Sequence, residues 1–203
     1  MAIQIFNDIE QGTEEWFSVR AQIPTASMFS AVIAKGRGGA PSKTRLTYMY
    51  KIAGQIISGQ MTENFSTSAM ERGHVMEEEA RRMYEFDSGN DVNEVGFIRN
   101  GDVGCSPDGL VGDEGMIEIK SKAPHILISA LLDDEMPSEH LAQVQGQIMV
   151  AEREWCDFVA YYTGMPMMVK RIYRDDEYCK NLMNELDKFN YELNELVSKI
   201  KEL

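Results

Sequence analysis

Within the stretch CSPDGLVGDEGMIEIKSK, Cys105 to Lys122, three residues carry groups suited to work on a phosphate ester: Asp108, Glu118 ten residues on, and Lys120 after one intervening isoleucine. The period of two in GMIEIKSK sends Ile117 and Ile119 to one face of a strand and Glu118 and Lys120 to the other. The intervening DGLVGDEG is rich in turn residues, so the chain can reverse and bring Asp108 beside Glu118. Two carboxylates are hard oxygen ligands, and magnesium completes an octahedral shell with a backbone carbonyl, waters and a phosphate oxygen. Such an ion stabilises charge on a phosphodiester and lowers the pKa of a bound water, while a lysine orients that nucleophile or steadies the developing charge. The same residues also read as a cross-strand surface ion pair next to an SPDG β-turn, and their chemistry alone leaves both readings open.

The elements that must position these groups are legible in the hydrophobic periodicity. In RGHVMEEEARRMYEF, Met76, Ala80, Met83 and Tyr84 form a helical stripe; Glu77 borders it, and Glu78 points away, where it can pair with Arg82. Such a position reads either as the plain margin of an amphipathic helix or as an acid that needs a partner or a metal. In SEHLAQVQGQIMVAE the stripe is Leu141, Val144, Ile148 and Ala151, with Gln143 and Gln147 one turn apart on another face. TASMFSAVIA predicts a short helix capped by Thr25 or Ser27, and Leu46, Met49, Tyr50, Ala53, Ile56 and Ile57 predict a core helix ending near Gly59. The segments from EVGFIRN to GMIEIKSK suggest an antiparallel meander, and WCDFVAYY with MMVKRIYR a hairpin through TGMP. A long amphipathic helix runs from Asp175 to the end, with Leu182, Leu186, Phe189, Leu193, Leu196, Ile200 and Leu203 on its apolar side. The order of elements predicts an α+β fold in one domain spanning residues 1–203.

Composition narrows the function. The 203 residues carry a net charge of −13, which by itself disfavours a polyanionic partner. The charge is uneven, however: AKGRGGAPSKTR holds Lys35, Arg37, Lys43 and Arg45 without an acid. That glycine-rich segment lacks the spacing of a phosphate loop, and no dinucleotide fingerprint follows a strand. Cys105, Cys156 and Cys179 are scattered singly, so they supply no zinc or iron–sulfur motif and read as packing residues of a reducing compartment. MAIQIFNDIEQG does not show the basic start and long apolar centre of a signal peptide and the apolar runs are short, so the expectation is a soluble, cytoplasmic protein without a membrane partner.

CSPDGL followed by EIK resembles the D-(x)n-E-x-K signature of the restriction-endonuclease-like nucleases, and more closely the phage lambda exonuclease and YqaJ viral recombinase family. QGTEEWFSVRAQIPTAS, RGHVMEEEAR, GCSPDGL, EIK and HLAQVQGQIMV resemble that family's successive motifs in order, covering roughly residues 10 to 165. The resemblance implies a restriction-endonuclease-like core, a mixed central β-sheet flanked by helices, with the long C-terminal helix added. It implies that Asp108, Glu118 and the carbonyl of Ile119 hold the first magnesium and that Lys120 acts on the attacking water. Glu77 would reach a metal cluster of two Mg2+ per site, for which Mn2+ can substitute. Gln143 would lie near the metal-bound water or scissile phosphate, with Gln147 a weaker candidate. Arg20 and Ser27 match a 5′-phosphate pocket, and Lys35 and Arg37 are candidate DNA contacts. The implied activity is processive 5′→3′ digestion of one strand of linear double-stranded DNA to mononucleotides, leaving a 3′ overhang. The implied setting is a phage- or prophage-encoded recombination pair in a bacterial cell, with a ring-shaped homotrimer and a single-strand annealing protein as partner. The alternatives are a non-processive endonuclease or Cas4-like nuclease of the same superfamily, and a catalytically silent DNA-end-binding scaffold. Two departures stand out: SKAP follows Lys120 where lambda-like members have cysteine and proline, and Arg72 stands where the lambda enzyme has an aromatic residue.

Overall fold

The computed structural model describes residues 2–60 and 68–203, the side chains at 68–74 excepted. A five-stranded sheet has the order β2 (Val92–Asn93), β5 (Gly109–Val111), β6 (Gly115–Ser121), β7 (Trp155–Tyr161) and β8 (Met168–Tyr173). The β6–β7 pair is parallel and the other pairs are antiparallel, so the sheet is mixed. The parallel pair needs a long crossover, which α5 (Pro124–Asp133) and α6 (Leu141–Val150) supply. A smaller sheet joins β1 (Gln4–Phe6), β3 (Phe97–Asn100) and β4 (Val103–Cys105).

The expected meander is therefore divided between two sheets. The break falls at Ser106-Pro107, where proline cannot donate to a ladder. Side chains from the N-terminal segment hold the crossing strand: Gln11 Nε2 donates to the carbonyls of Val95 and Pro107 at 3.0 Å, and Trp16 Nε1 to Ser106 Oγ at 2.9 Å. Trp16 belongs to α1 (Glu14–Arg20), which Thr13 caps.

Helices cover both faces of the five-stranded sheet. On one face, Ala80 and Tyr84 of α4 (Ser68–Ser88) pack on Ile117, Ile119, Val159 and Tyr161. On the other, Met116, Phe158 and Ala160 join the larger core with α2 (Phe29–Ile33), α3 (Lys43–Ser58), α6 and α7 (Asp176–Lys201). The alternation in β6 thus places Ile117 and Ile119 under α4 and Glu118 under α6. All three cysteines are buried, in keeping with a packing role. Gly146 lets α6 approach α2, because a Cβ there would lie 2.4 Å from the ring of Phe29.

Several local expectations need correction. Thr25 occupies the N-cap position of the turn Ala26–Met28, but neither it nor Ser27 caps a backbone amide there; the Thr25 hydroxyl instead faces Arg20 and Ser27. The buried stripe of α3 is Arg45, Met49, Ile52 and Ala53, while Tyr50 and Ile57 face solvent. Arg45, one of the four basic residues of the acid-free segment, is buried: it pairs with Glu192 at 2.6 Å, donates to the Val32 carbonyl and lies over Phe189. Val197 rather than Ile200 or Leu203 completes the packed side of α7, the last two being exposed. The helix α5 escaped the sequence reading since PHILISALLD is apolar without a clean stripe, and only Leu127 and Ala130 are buried. Its first residue, Pro124, follows the SKA departure directly. Arg72 lies outside the described side chains. Among the described residues, no helix is long and apolar enough to cross a membrane.

Candidate active site

The register of β5 and β6 pairs Gly109 with Ile117, and one step beyond the end of β5 the same register sets Asp108 opposite Glu118. The Ile119 N–H donates to Asp108 Oδ2 at 2.5 Å, and the Asp108 N–H donates to the Ile117 carbonyl at 3.2 Å. Backbone pairing therefore fixes the first acid against the strand carrying the second.

Glu118 is 2% exposed and its two oxygens are shared among three donors. Gln143 Nε2 and Lys120 Nζ each lie 2.6 Å from Oε1, and Gln147 Nε2 lies 2.6 Å from Oε2. The two glutamines come from successive turns of α6, which is why their shared face mattered in the sequence. Gln147 is 1% exposed and its Oε1 has no hydrogen-bond partner.

The electrostatics follow from burying several charges together. Burial pushes the Asp108 carboxyl well above the usual carboxylate range; Glu118 and then Glu77 push it further, and Lys120 and the Ile119 amide only partly oppose them. Burial alone would lower the Lys120 pKa, but Glu118, Asp108 and Glu77 outweigh it and the net shift is upward. Lys120 is accordingly an ammonium group.

Glu77 enters from α4 and forms an ion pair with Arg81 at 3.1 Å. Arg81 also donates to the Asp108 carbonyl at 3.2 Å and pairs with Glu94 at 2.9 Å, a brace that the i, i+4 spacing of Glu77 and Arg81 could have signalled. These groups line an open cleft of about 630 Å³ that also includes Gln11 and Asp108.

No three His, Cys, Asp or Glu side chains among the described residues are gathered closely enough to enclose a metal ion. The donor chemistry nevertheless fits a hard divalent cation. Asp108 and Glu118 are adjacent carboxylates, the Ile119 carbonyl lies on the same strand, and Asp108, shifted upward first by burial and then by Glu118 and Glu77, is a carboxyl whose charged form a cation would favour.

A second group surrounds Arg20. Its guanidinium sits 4.0 Å from the Trp16 ring centroid, Nη2 lies 3.4 Å from Thr25 Oγ1, and Thr25 Oγ1 lies 3.4 Å from Ser27 Oγ. Arg20 and Ser27 are thus joined through Thr25, which the sequence suggests only as a helix cap. Trp16 links this group to Ser106, two residues before Asp108. Lys35 and Arg37 are exposed on the segment after α2.

A mixed sheet carrying two acids and a lysine at its centre, with helices on both faces, defines a nuclease of the restriction-endonuclease-like class. The chain belongs to the YqaJ-like viral recombinase domain family, whose model matches residues 15–154. Among solved structures it is similar to the alkaline exonuclease LHK-Exo from Laribacter hongkongensis, with 34% identity over 94% of this chain and 97% of that one and a TM-score of 0.84. The structure of LHK-Exo in complex with dAMP matches at 34% identity with the same coverage and a TM-score of 0.85. A phage-related exonuclease from Haemophilus somnus 129PT shares the fold, at 14% identity, 91% and 99% coverage and a TM-score of 0.67. No curated protein matches the chain.

Proposed function

We propose that the protein is a magnesium-dependent, processive 5′→3′ exonuclease that digests one strand of linear double-stranded DNA to mononucleotides and leaves a 3′ overhang for annealing. The observation that carries this reading is the convergence of Asp108, Lys120, Gln143 and Gln147 on buried Glu118. The similarity to an alkaline exonuclease solved with dAMP supports it.

Asp108, Glu118 and the Ile119 carbonyl would hold the metal, with Glu77 available once it leaves Arg81. When bound, Mg2+ supplies Lewis-acid stabilisation of the phosphodiester and a more acidic water. Lys120, as an ammonium group, orients the attacking water by hydrogen bonding and stabilises negative charge on the phosphate. Gln143 positions the Glu118 carboxylate from α6. Arg20, with Thr25 and Ser27 beside it, receives the 5′-phosphate of the DNA end through charge-assisted hydrogen bonds.

The remaining features of this reading are a ring-shaped trimer, a single-strand annealing partner, and a phage or prophage origin with action in the bacterial cytoplasm. All 203 residues would act as one exonuclease domain, with Lys35 and Arg37 facing DNA. The test is incubation with linear and covalently closed circular duplex plus Mg2+. Mononucleotides from the linear form alone are expected; nicking of the circle would identify an endonuclease, and inertness towards both a silent end-binding protein.

A further inference from the structure

Strand β6 continues its pattern one residue beyond its end. The Lys122 N–H donates to the Tyr161 carbonyl at 3.0 Å, so Lys122 is still in register with β7. Glu118, Lys120 and Lys122 therefore project from the same face at every second residue, with about 6.6 Å between successive Cα atoms. That step is comparable to the distance from one phosphate to the next along a DNA strand.

The surroundings of Lys122 set it apart from an ordinary surface lysine. Its side chain is 13% exposed, and Nζ lies 2.8 Å from His140 Nε2 and 3.2 Å from Glu139 Oε1. His140 stacks on Phe158 at 5.1 Å, and Phe158 is the β7 residue paired with Glu118, which places this imidazole beside the active-site strand. Burial, then Lys122 and then Lys120, push the His140 pKa down to about 4. The imidazole is neutral at working pH and accepts a hydrogen bond from Lys122 without cancelling its charge. Among the described residues, Glu139 is the carboxylate that offsets that charge; its Oε1 also lies 3.1 Å from His140 Nε2, and its side chain is 68% exposed. An exposed carboxylate on a held ammonium group contributes little to stability and is readily exchanged for another anion.

We propose that Lys122, oriented by His140, is a DNA-phosphate contact that takes the backbone phosphate neighbouring the one Lys120 faces, with the Glu139 carboxylate standing where that phosphate's oxygens bind. This rests on the exonuclease reading and extends it along the substrate strand. In a chain of net charge −13, a lysine with one exchangeable partner beside the catalytic strand is a local attraction for DNA that the overall charge lacks.

The test is duplex DNA binding in Ca2+, measured by fluorescence anisotropy over a series of salt concentrations. Lys122→Gln should weaken binding about tenfold and lower the salt-dependence slope by about one phosphate contact. Lys122→Arg should restore most of both. Glu139→Gln should tighten binding about threefold by removing the competing anion, and should have no effect in the Lys122→Gln background. A thermal melt of each variant separates a folding defect from lost contact, and the gain from Glu139→Gln cannot arise from misfolding. An unchanged slope in Lys122→Gln, or weaker binding in Glu139→Gln, would show that the three residues only tie the turn before α6 to the sheet. Wild-type protein that neither binds duplex nor cuts linear DNA would remove the exonuclease reading together with this contact. If wild type does both and the variants behave alike, the Lys122 assignment alone fails.

Discussion

Gln147 holds Glu118 through a 2.6 Å hydrogen bond from Nε2 to Oε2, while its own Oε1 is buried without a partner. A carboxylate fixed in this way would be presented to a cation in one orientation. Gln147→Leu should weaken Mn2+ binding by about ten- to a hundredfold, the usual penalty for losing a group that orients a ligand. Calorimetric titration of Mn2+ checks it, and wild-type affinity in the variant would show that Gln143 suffices.

Asp108 and Lys120 should separate into a ligand and a charge-stabilising group. Asp108→Asn should lose Mn2+ binding and slow cleavage on the order of a thousandfold. Lys120→Ala should slow cleavage similarly yet retain the metal and the DNA. Near-normal hydrolysis by either variant in a gel assay would contradict these roles.

Arg20 should act on the end rather than along the duplex. Arg20→Ala is expected to slow digestion of 5′-phosphorylated ends at least about tenfold, the worth of a charge-assisted contact, and to leave 5′-hydroxyl ends nearly unchanged. Equal losses on both substrates would mean that the stacking of Arg20 on Trp16 serves the fold instead.

His140 gives stability a defined acid limb. Its folded-state pKa, about 4, lies below the ordinary 6.5, so the unfolded chain binds the proton first. The contribution is complete above about 6.5 and is lost as the pH falls towards 4. Melting temperature against pH should fall more steeply over that interval for wild type than for His140→Gln. Parallel curves would place the acid sensitivity elsewhere.

Arg45 should matter to folding and not to the DNA path. Arg45→Ala removes one half of a largely buried ion pair and should destabilise the protein by about 3 kcal/mol in urea. The length of the processive run should not change in the surviving folded fraction.

Much of this site was legible because strand and helix periods place side chains without reference to tertiary structure. The faces of Ile117 and Glu118, the border position of Glu77 and the shared face of Gln143 and Gln147 all follow from local geometry. What escaped depends on contacts between distant segments. Arg45 sits in an acid-free stretch whose sequence offers it no partner, yet Glu192, 147 residues away, pairs with it. The split of the meander at Pro107 likewise depends on Gln11 and Trp16, about 90 residues earlier in the chain. Thr25 looked like a helix cap because the hydroxyl that could cap a backbone amide instead lies against Arg20 and Ser27. The pairing of Lys122 with His140 was hidden because α5 intervenes between them.

Gly146 has no functional group, yet it lies between Gln145 and Gln147 on the helix that orients Glu118, and a methyl group there would meet the Phe29 ring. The helix would have to move away from α2 and carry its amides with it. Selection on catalysis therefore reaches a hydrogen atom. A natural variant with alanine at this position would be expected to carry a compensating smaller residue at 29, so the two sites should drift as a pair, on a different schedule from the acids they serve.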